Sequence, residues 1–170
     1  MSVSSRDTHL PRFGHALPAA LRDGFRDAGV AHILHLGDHV GPEVPALFEA
    51  IAPYDAVAGN NDGPELVQRF GRRRVVELDG VRIGLTHGDQ GLAPTTREKA
   101  MATFSAHEVA VVLFGHSHAP HLEWLADGRL LLNPGSPTDK RLQPRYSWAL
   151  LSIDGGAVTA EHRFFDDRSI

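Results

Sequence analysis

Large apolar residues in this chain follow two rhythms, and the alternation between them sets out the expected elements. Leu17, Leu21 and Phe25 recur four apart, Pro18 suits a first helical turn and Gly29 a stop, so a helix is predicted over Pro18–Ala28. Ala31–Leu36 is a short apolar run before Gly37, Glu43–Ile51 carries a second helical pattern, and Tyr54–Ala58 is another run ending at Gly59. Strand, helix and strand in that order imply parallel strands with helices on the faces of the sheet. The start of the chain is less apolar: Val3 is its only large aliphatic residue after Met1, and Arg6 stands directly before Asp7. Either a first strand there is short and poorly anchored, or the start has been altered or assigned late.

From the middle of the chain onward the rhythm becomes one of hairpins. Arg74–Leu78 and Val81–Thr86 flank Asp79-Gly80, a strong signal for a tight antiparallel turn. Thr95-Thr96-Arg97-Glu98 reads as a capping box opening a helix to about His107, followed by an apolar strand over Val109–Phe114. Asp127-Gly128 joins His121–Leu125 to Arg129–Leu132, and Asp154-Gly155-Gly156 joins Tyr146–Ile153 to Ala157–Phe164. The expected fold is a mixed α/β layered one, two packed mixed sheets with helices outside. No repeat, low-complexity tract or long linker divides the chain, so a single domain over residues 1–170 is expected.

Composition narrows the chemistry. Lys and Arg total 17 against 21 Asp and Glu, a formal charge of −4, so there is no global attraction toward nucleic acid or an anionic membrane. Any handling of phosphate must be local. The chain has no cysteine, which excludes disulfides, thiolate metal sites and a cysteine nucleophile, and fits a reducing cytoplasm. No apolar run approaches the roughly 18 residues of a membrane span, and Met1–Arg6 lacks the apolar stretch of a signal peptide. A soluble, unprocessed protein is therefore expected. Eleven histidines in 170 residues are the one excess.

Five of those histidines fall where strands are expected to end. Asp7-Thr8-His9, Gly37-Asp38-His39, Gly59-Asn60-Asn61-Asp62, Thr86-His87-Gly88 and Gly115-His116-Ser117-His118 each sit at a strand exit. In layered α/β folds such exits gather on one rim, where ligands bind. Each group alone has an ordinary reading. Asp caps turns, Gly and Asn tolerate positive φ, a lone histidine can be a satisfied buried ring, and eleven histidines produce about one His-x-His pair by chance. Turn chemistry gives no reason for a metal-competent side chain at all five exits. Two divalent ions about 3.5 to 4 Å apart, sharing Asp38, would use the set.

The ordered motifs Asp-x-His, Gly-Asp, Gly-Asn-x-Asp, His-Gly and Gly-His-x-His resemble those of the calcineurin-like metallophosphoesterases. The short chain, Asn133-Pro134-Gly135-Ser136-Pro137 and Ile83–Gly88 resemble the small YfcE-type phosphodiesterases within them, over Asp7 to about Ile153. The resemblance implies a four-layer αββα sandwich with a dinuclear centre. Asp7, His9 and His118 would hold one metal, Asn60, His87 and His116 the other, and Asp38 would bridge them. Mn is the first expectation for the ions, with Zn, Fe, Ni or Mg as the others, and a metal-bridging hydroxide would attack a small phosphoester. Where many larger relatives carry a histidine after Gly-Asn, thought to assist the leaving group, this chain has Asn61, a hydrogen-bond donor toward substrate that cannot deliver a proton. His39 is the other candidate beside the substrate, as a replacement acid or as a ring pointing away. Arg12, Lys140, Arg141 and Arg145 read as solvated surface, with a rim position as the alternative. A phosphodiesterase is the leading expectation. Its rivals are a phosphomonoesterase and a non-catalytic interaction scaffold like the retromer subunit that shares this fold.

Overall fold

The structure, a computed structural model, describes the backbone of residues 2–6, together with residue 10 and residues 16–170. Asp7, His9 and Arg12 lie outside the described residues. One five-stranded sheet contains β1 (Ser2–Arg6), β2 (His32–His35), β3 (Tyr54–Ala56), β9 (Tyr146–Asp154) and β10 (Ala157–Phe165), in the order β10-β9-β1-β2-β3. The other contains β4 (Arg73–Leu78), β5 (Val81–Thr86), β6 (Val111–Phe114), β7 (His121–Trp124) and β8 (Leu130–Asn133), in the order β4-β5-β6-β8-β7. Both are mixed: β1-β2-β3 and β5-β6-β8 run parallel, and the remaining pairs antiparallel.

Alternation along each strand decides what lies between the sheets. Leu34, Ile83, Leu85, Val111, Leu113, Leu130, Leu132, Ala149, Leu151 and Ile153 form one buried cluster contributed by both sheets. Their neighbours at the alternate positions face the other way. Ile33, Trp148 and Leu150 pack under α1 (Ala19–Asp27) and α2 (Val44–Glu49), with Leu21, Phe25 and Phe48 as the helical side of that layer. Val112, Phe114 and Leu131 pack under α4 (Thr96–Thr103) through Ala100 and Phe104. A strand covered on both faces is apolar on both, which is why β6 and the first three residues of β8 read as continuous apolar runs. The result is the αββα sandwich.

Three elements differ from expectation. The first strand runs over five residues and pairs on both sides, Val3 opposite His32 and Leu151, so the ladder of peptide groups forms at the middle of its sheet despite few aliphatic residues. A helix not expected, α3 (Pro64–Phe70), closes the edge beside β3 by burying Leu66 and Phe70 against Ala56. The capping box at Thr95 and Glu98 is present, but α4 ends at Thr103 because Phe104 turns extended and goes into the core against Gly84. Among the described residues no helix is long and apolar enough to cross a membrane.

Candidate metal centre

The loops leaving β2, β3, β5 and β6 meet on one rim, and glycines let them meet closely. A Cβ on Gly37, whose φ is +98°, would lie 2.6 Å from the Gly59 nitrogen and 2.8 Å from His87 Nδ1. That packing brings four side chains from four loops together. Asn60 Oδ1 lies 3.0 Å from His87 Nε2 and 3.0 Å from His116 Nδ1, the two rings are 3.2 Å apart at those nitrogens, and Asp38 Oδ2 is 3.4 Å from His87 Nε2.

Protonation is fixed from outside this group. His87 is fully buried and its Nδ1 donates to the Leu36 carbonyl at 2.6 Å, which places the lone pair on Nε2. His116 has its pKa lowered by burial and then by His87, which favours the neutral ring. Burial opposes ionisation of Asp38, but His87 and the amide hydrogen bonds from Asn61 outweigh it and hold the carboxyl well below its ordinary range. The centre thus brings the His87 Nε2 lone pair, an amide oxygen, a carboxylate oxygen and Nδ1 of the neutral His116 ring to face one another. Such crowding is unfavourable unless a cation or proton lies among them. Donors bound at about 2.1 Å to one ion stand roughly 3.0 to 3.4 Å from each other, the spacing seen here. Among the described residues no three or more histidines and carboxylates form an ion-sized cluster on their own; here the Asn60 amide stands between the rings.

His118 follows two residues after His116. It is buried, and its Nδ1 donates to the Asp139 carbonyl at 2.5 Å, which sets its ring in the same manner as His87. Asp38, His116 and His118 all have left-handed backbone, with φ of 55°, 65° and 57°. Non-glycine residues hold that conformation at a cost of order 1–3 kcal/mol each, and such strain concentrates at functional sites.

The structure shows how the two residues expected beside the substrate are engaged. The Asn61 side-chain amide donates to Asp38 Oδ2 at 2.7 Å and its backbone amide to Asp38 Oδ1 at 2.9 Å, so two of its three N–H groups orient the carboxylate and one side-chain N–H is left for a substrate. His39 is fully buried between the rings of His35 and Phe70, with Nδ1 3.0 Å from Asp62 and Nε2 2.6 Å from the Tyr54 hydroxyl. It has no nitrogen left for a leaving group.

Two residues given no role by the sequence reading turn out to fasten the loops. Asp62 accepts from the Gly59 and Val40 amides, each at 2.8 Å, and from His39, tying the loop after β3 to the loop after β2. Asn133, in the Asn-Pro-Gly-Ser run, donates to the Gly115 carbonyl and Ser117 Oγ and so fixes the loop carrying His116 and His118. The signal for both was present: each is a short amide or carboxylate residue at a strand exit, suited to capping loop backbone.

Comparison with known proteins bears on the family and the fold. The calcineurin-like phosphoesterase superfamily domain matches residues 3–156. A probable metallophosphoesterase of Methanothermobacter thermautotrophicus is 37% identical over 155 residues, spanning 91% of this chain and 87% of that one. Wild-type Vps29 of Entamoeba histolytica, solved in complex with zinc, superposes with a TM-score of 0.76 at 25% identity, covering 98% of this chain and all of the other (100%). A structure described as a novel archaeal phosphodiesterase gives a TM-score of 0.70 at 24% identity, covering 96% of this chain and 100% of its own, and there the likeness is one of fold.

Proposed function

This chain belongs to the calcineurin-like phosphoesterase superfamily, and on that footing we propose that it is a phosphodiesterase working with two divalent ions, manganese first among them. The observation that carries the reading is the convergence of Asp38, Asn60, His87 and His116 from four loops, at spacings that suit ligands of one ion. Asn60, His87 and His116 would hold one ion. His118, with Asp7 and His9 from outside the described residues, would hold the other, and Asp38 would serve both. Ions held there supply Lewis acidity toward phosphoryl oxygens and bring the ionisation of water into the neutral range.

The protein's own contribution is orientation and charge. Leu36 and Asp139 fix the tautomers of His87 and His118, so no proton has to leave those rings before they act as ligands. Asn61 holds Asp38 with both oxygens engaged. Neither Asn61 nor His39 is placed to protonate a departing oxygen, which favours esters whose leaving group is stable as an anion, as a phenolate is.

The likeness to Vps29 favours a second reading, an interaction scaffold that keeps the fold without turnover. What supports catalysis is the retention of competent donors at every described position of the set. The experiment is metal analysis of protein purified without chelator, followed by turnover of a diester and a monoester of one chromogenic phenol with Mn added. The expected result is about two ions per chain and faster cleavage of the diester. Fewer than one ion per chain would sink the dinuclear assignment. A faster monoester would make the protein a phosphomonoesterase, and no turnover of either would favour the scaffold.

A further inference from the structure

The donor set described above is rich in acceptors and poor in N–H groups that could meet an anionic substrate, since the Asn61 backbone N–H and one of its two side-chain N–H groups are spent on Asp38. A cation on the neighbouring loop stands where that deficit could be met. The loop from β8 to β9 reaches the centre at Asp139, whose carbonyl receives the His118 ring. Arg141 follows two residues later, and its φ of 46° puts an arginine in the left-handed region, where glycine or asparagine would sit more easily.

The cations around this loop differ in how they are engaged. Lys140 donates to the Pro144 carbonyl at 2.9 Å and lies over the Tyr146 ring. Arg145 is held by Asp166, and Arg168 donates to the Thr138 carbonyl. The Arg141 side chain is 47% exposed, and among the described residues its one side-chain neighbour of opposite charge is Asp139 Oδ2 at 3.9 Å, too far for a hydrogen bond. That same carboxylate oxygen is 3.7 Å from His118 Nδ1, so a single carboxylate separates the guanidinium from the His118 ring. The guanidinium thus belongs to the loop that fastens the His118 ring, one carboxylate away from it.

We infer that Arg141 is a substrate-binding residue whose guanidinium grips an anionic oxygen of the phosphoester at this centre, an inference that rests on the phosphoesterase reading above. A planar fork of N–H donors matches two phosphate oxygens at once, which a lysine ammonium does not. The loose contact with Asp139 keeps the fork aimed without committing its donors. Holding Arg141 in strained backbone fixes the point from which the side chain extends.

The test uses the full chain loaded with metal, comparing wild type with R141G, R141A and R141K. Two readouts are taken: calorimetric titration with inorganic phosphate, and kcat and KM for a chromogenic diester. Loss of a charged hydrogen bond predicts phosphate affinity weakened about ten- to hundredfold in R141G and R141A, with KM raised in step and R141K between. Glycine accepts the left-handed backbone, so R141G should melt no lower than wild type, which separates lost binding from lost folding. Phosphate affinity and KM unchanged in R141G would overturn the inference. If wild type turns over no phosphoester yet binds phosphate through Arg141, the anion contact stands and the phosphoesterase reading falls. If it does neither, both fall.

Discussion

Gly59 stands against Asp38 with no room for a side chain: a Cβ on it would lie 2.2 Å from Asp38 Oδ1 and 2.5 Å from the Asp38 nitrogen. Part of that obstruction is backbone, which cannot swing aside. Gly59→Ala should therefore displace the Asp38 loop, lowering stability by roughly 1–3 kcal/mol as overpacking usually does. Bound metal should fall with it. Thermal melting and metal content measured on the same sample check this, and a variant with normal metal content would show that the loop can shift without losing Asp38.

His87 is the hub of the described cluster, within 3.4 Å of Asn60, His116 and Asp38 and fastened to Leu36. Removing even an outer partner of a metal ligand typically costs 10–100-fold, so His87→Ala should reduce kcat/KM by about 100-fold or more. Metal content should fall by about one ion per chain, since the residues given to the second ion are untouched. A variant that kept both ions would remove His87 from the ligand set.

Asp62 links stability to pH. Burial tends to raise its pKa, but His39 and the Gly59 and Val40 amides prevail and the net shift is downward from 3.8. A carboxylate with a lowered folded pKa contributes stability that is full above the unfolded value, near pH 4, and is lost as pH falls through the lower folded value. Asp62→Asn should thus be less stable than wild type at neutral pH, and the gap should close in acid. Asp62→Ala leaves buried donors unmet and should lose about 3–5 kcal/mol. Denaturant unfolding at neutral pH and in acid, below pH 4, measures both, and a gap that does not narrow would mean Asp62 is not the ionised acceptor.

His39 serves the fold. His39→Gln should leave the shape of the pH–rate profile as it is, including with a poor leaving group, while lowering the melting temperature. Loss of one limb of that profile would return His39 to a role in proton transfer.

What could be read from the chain beforehand was local or periodic. The Asp79-Gly80 hairpin was legible because both residues take positive φ, 49° and 77°, and that demand is written in the residue types. The layers were legible because β6 is apolar at every position and β8 over Leu130, Leu131 and Leu132. Elements decided by long-range packing were not. The end of α4 depends on Phe104 reaching a space beside Gly84, from a distant strand. α3 is short, and its Pro64 and Gly71 punctuation frames only two buried residues.

The site divides in the same way. That Asp38, Asn60, His87 and His116 share a rim follows from strand exits, so their meeting was foreseeable. The direction of His39 was not, because Tyr54 and Asp62, some 15 and 23 residues away, decide it. Arg141 looked like ordinary surface. Only its left-handed backbone and its loose attachment to Asp139 set it apart.

The left-handed backbone of Asp38, His116 and His118 also bears on how a lineage carrying this fold can change. Each of those residues burdens the folded chain for as long as the site is maintained, and Gly or Asn at the same place would relieve it. A descendant released from chemistry would grow sturdier by shedding them. Durable, inactive cousins are therefore a natural outcome of this architecture, and their sturdiness would itself record that the catalytic duty had been given up.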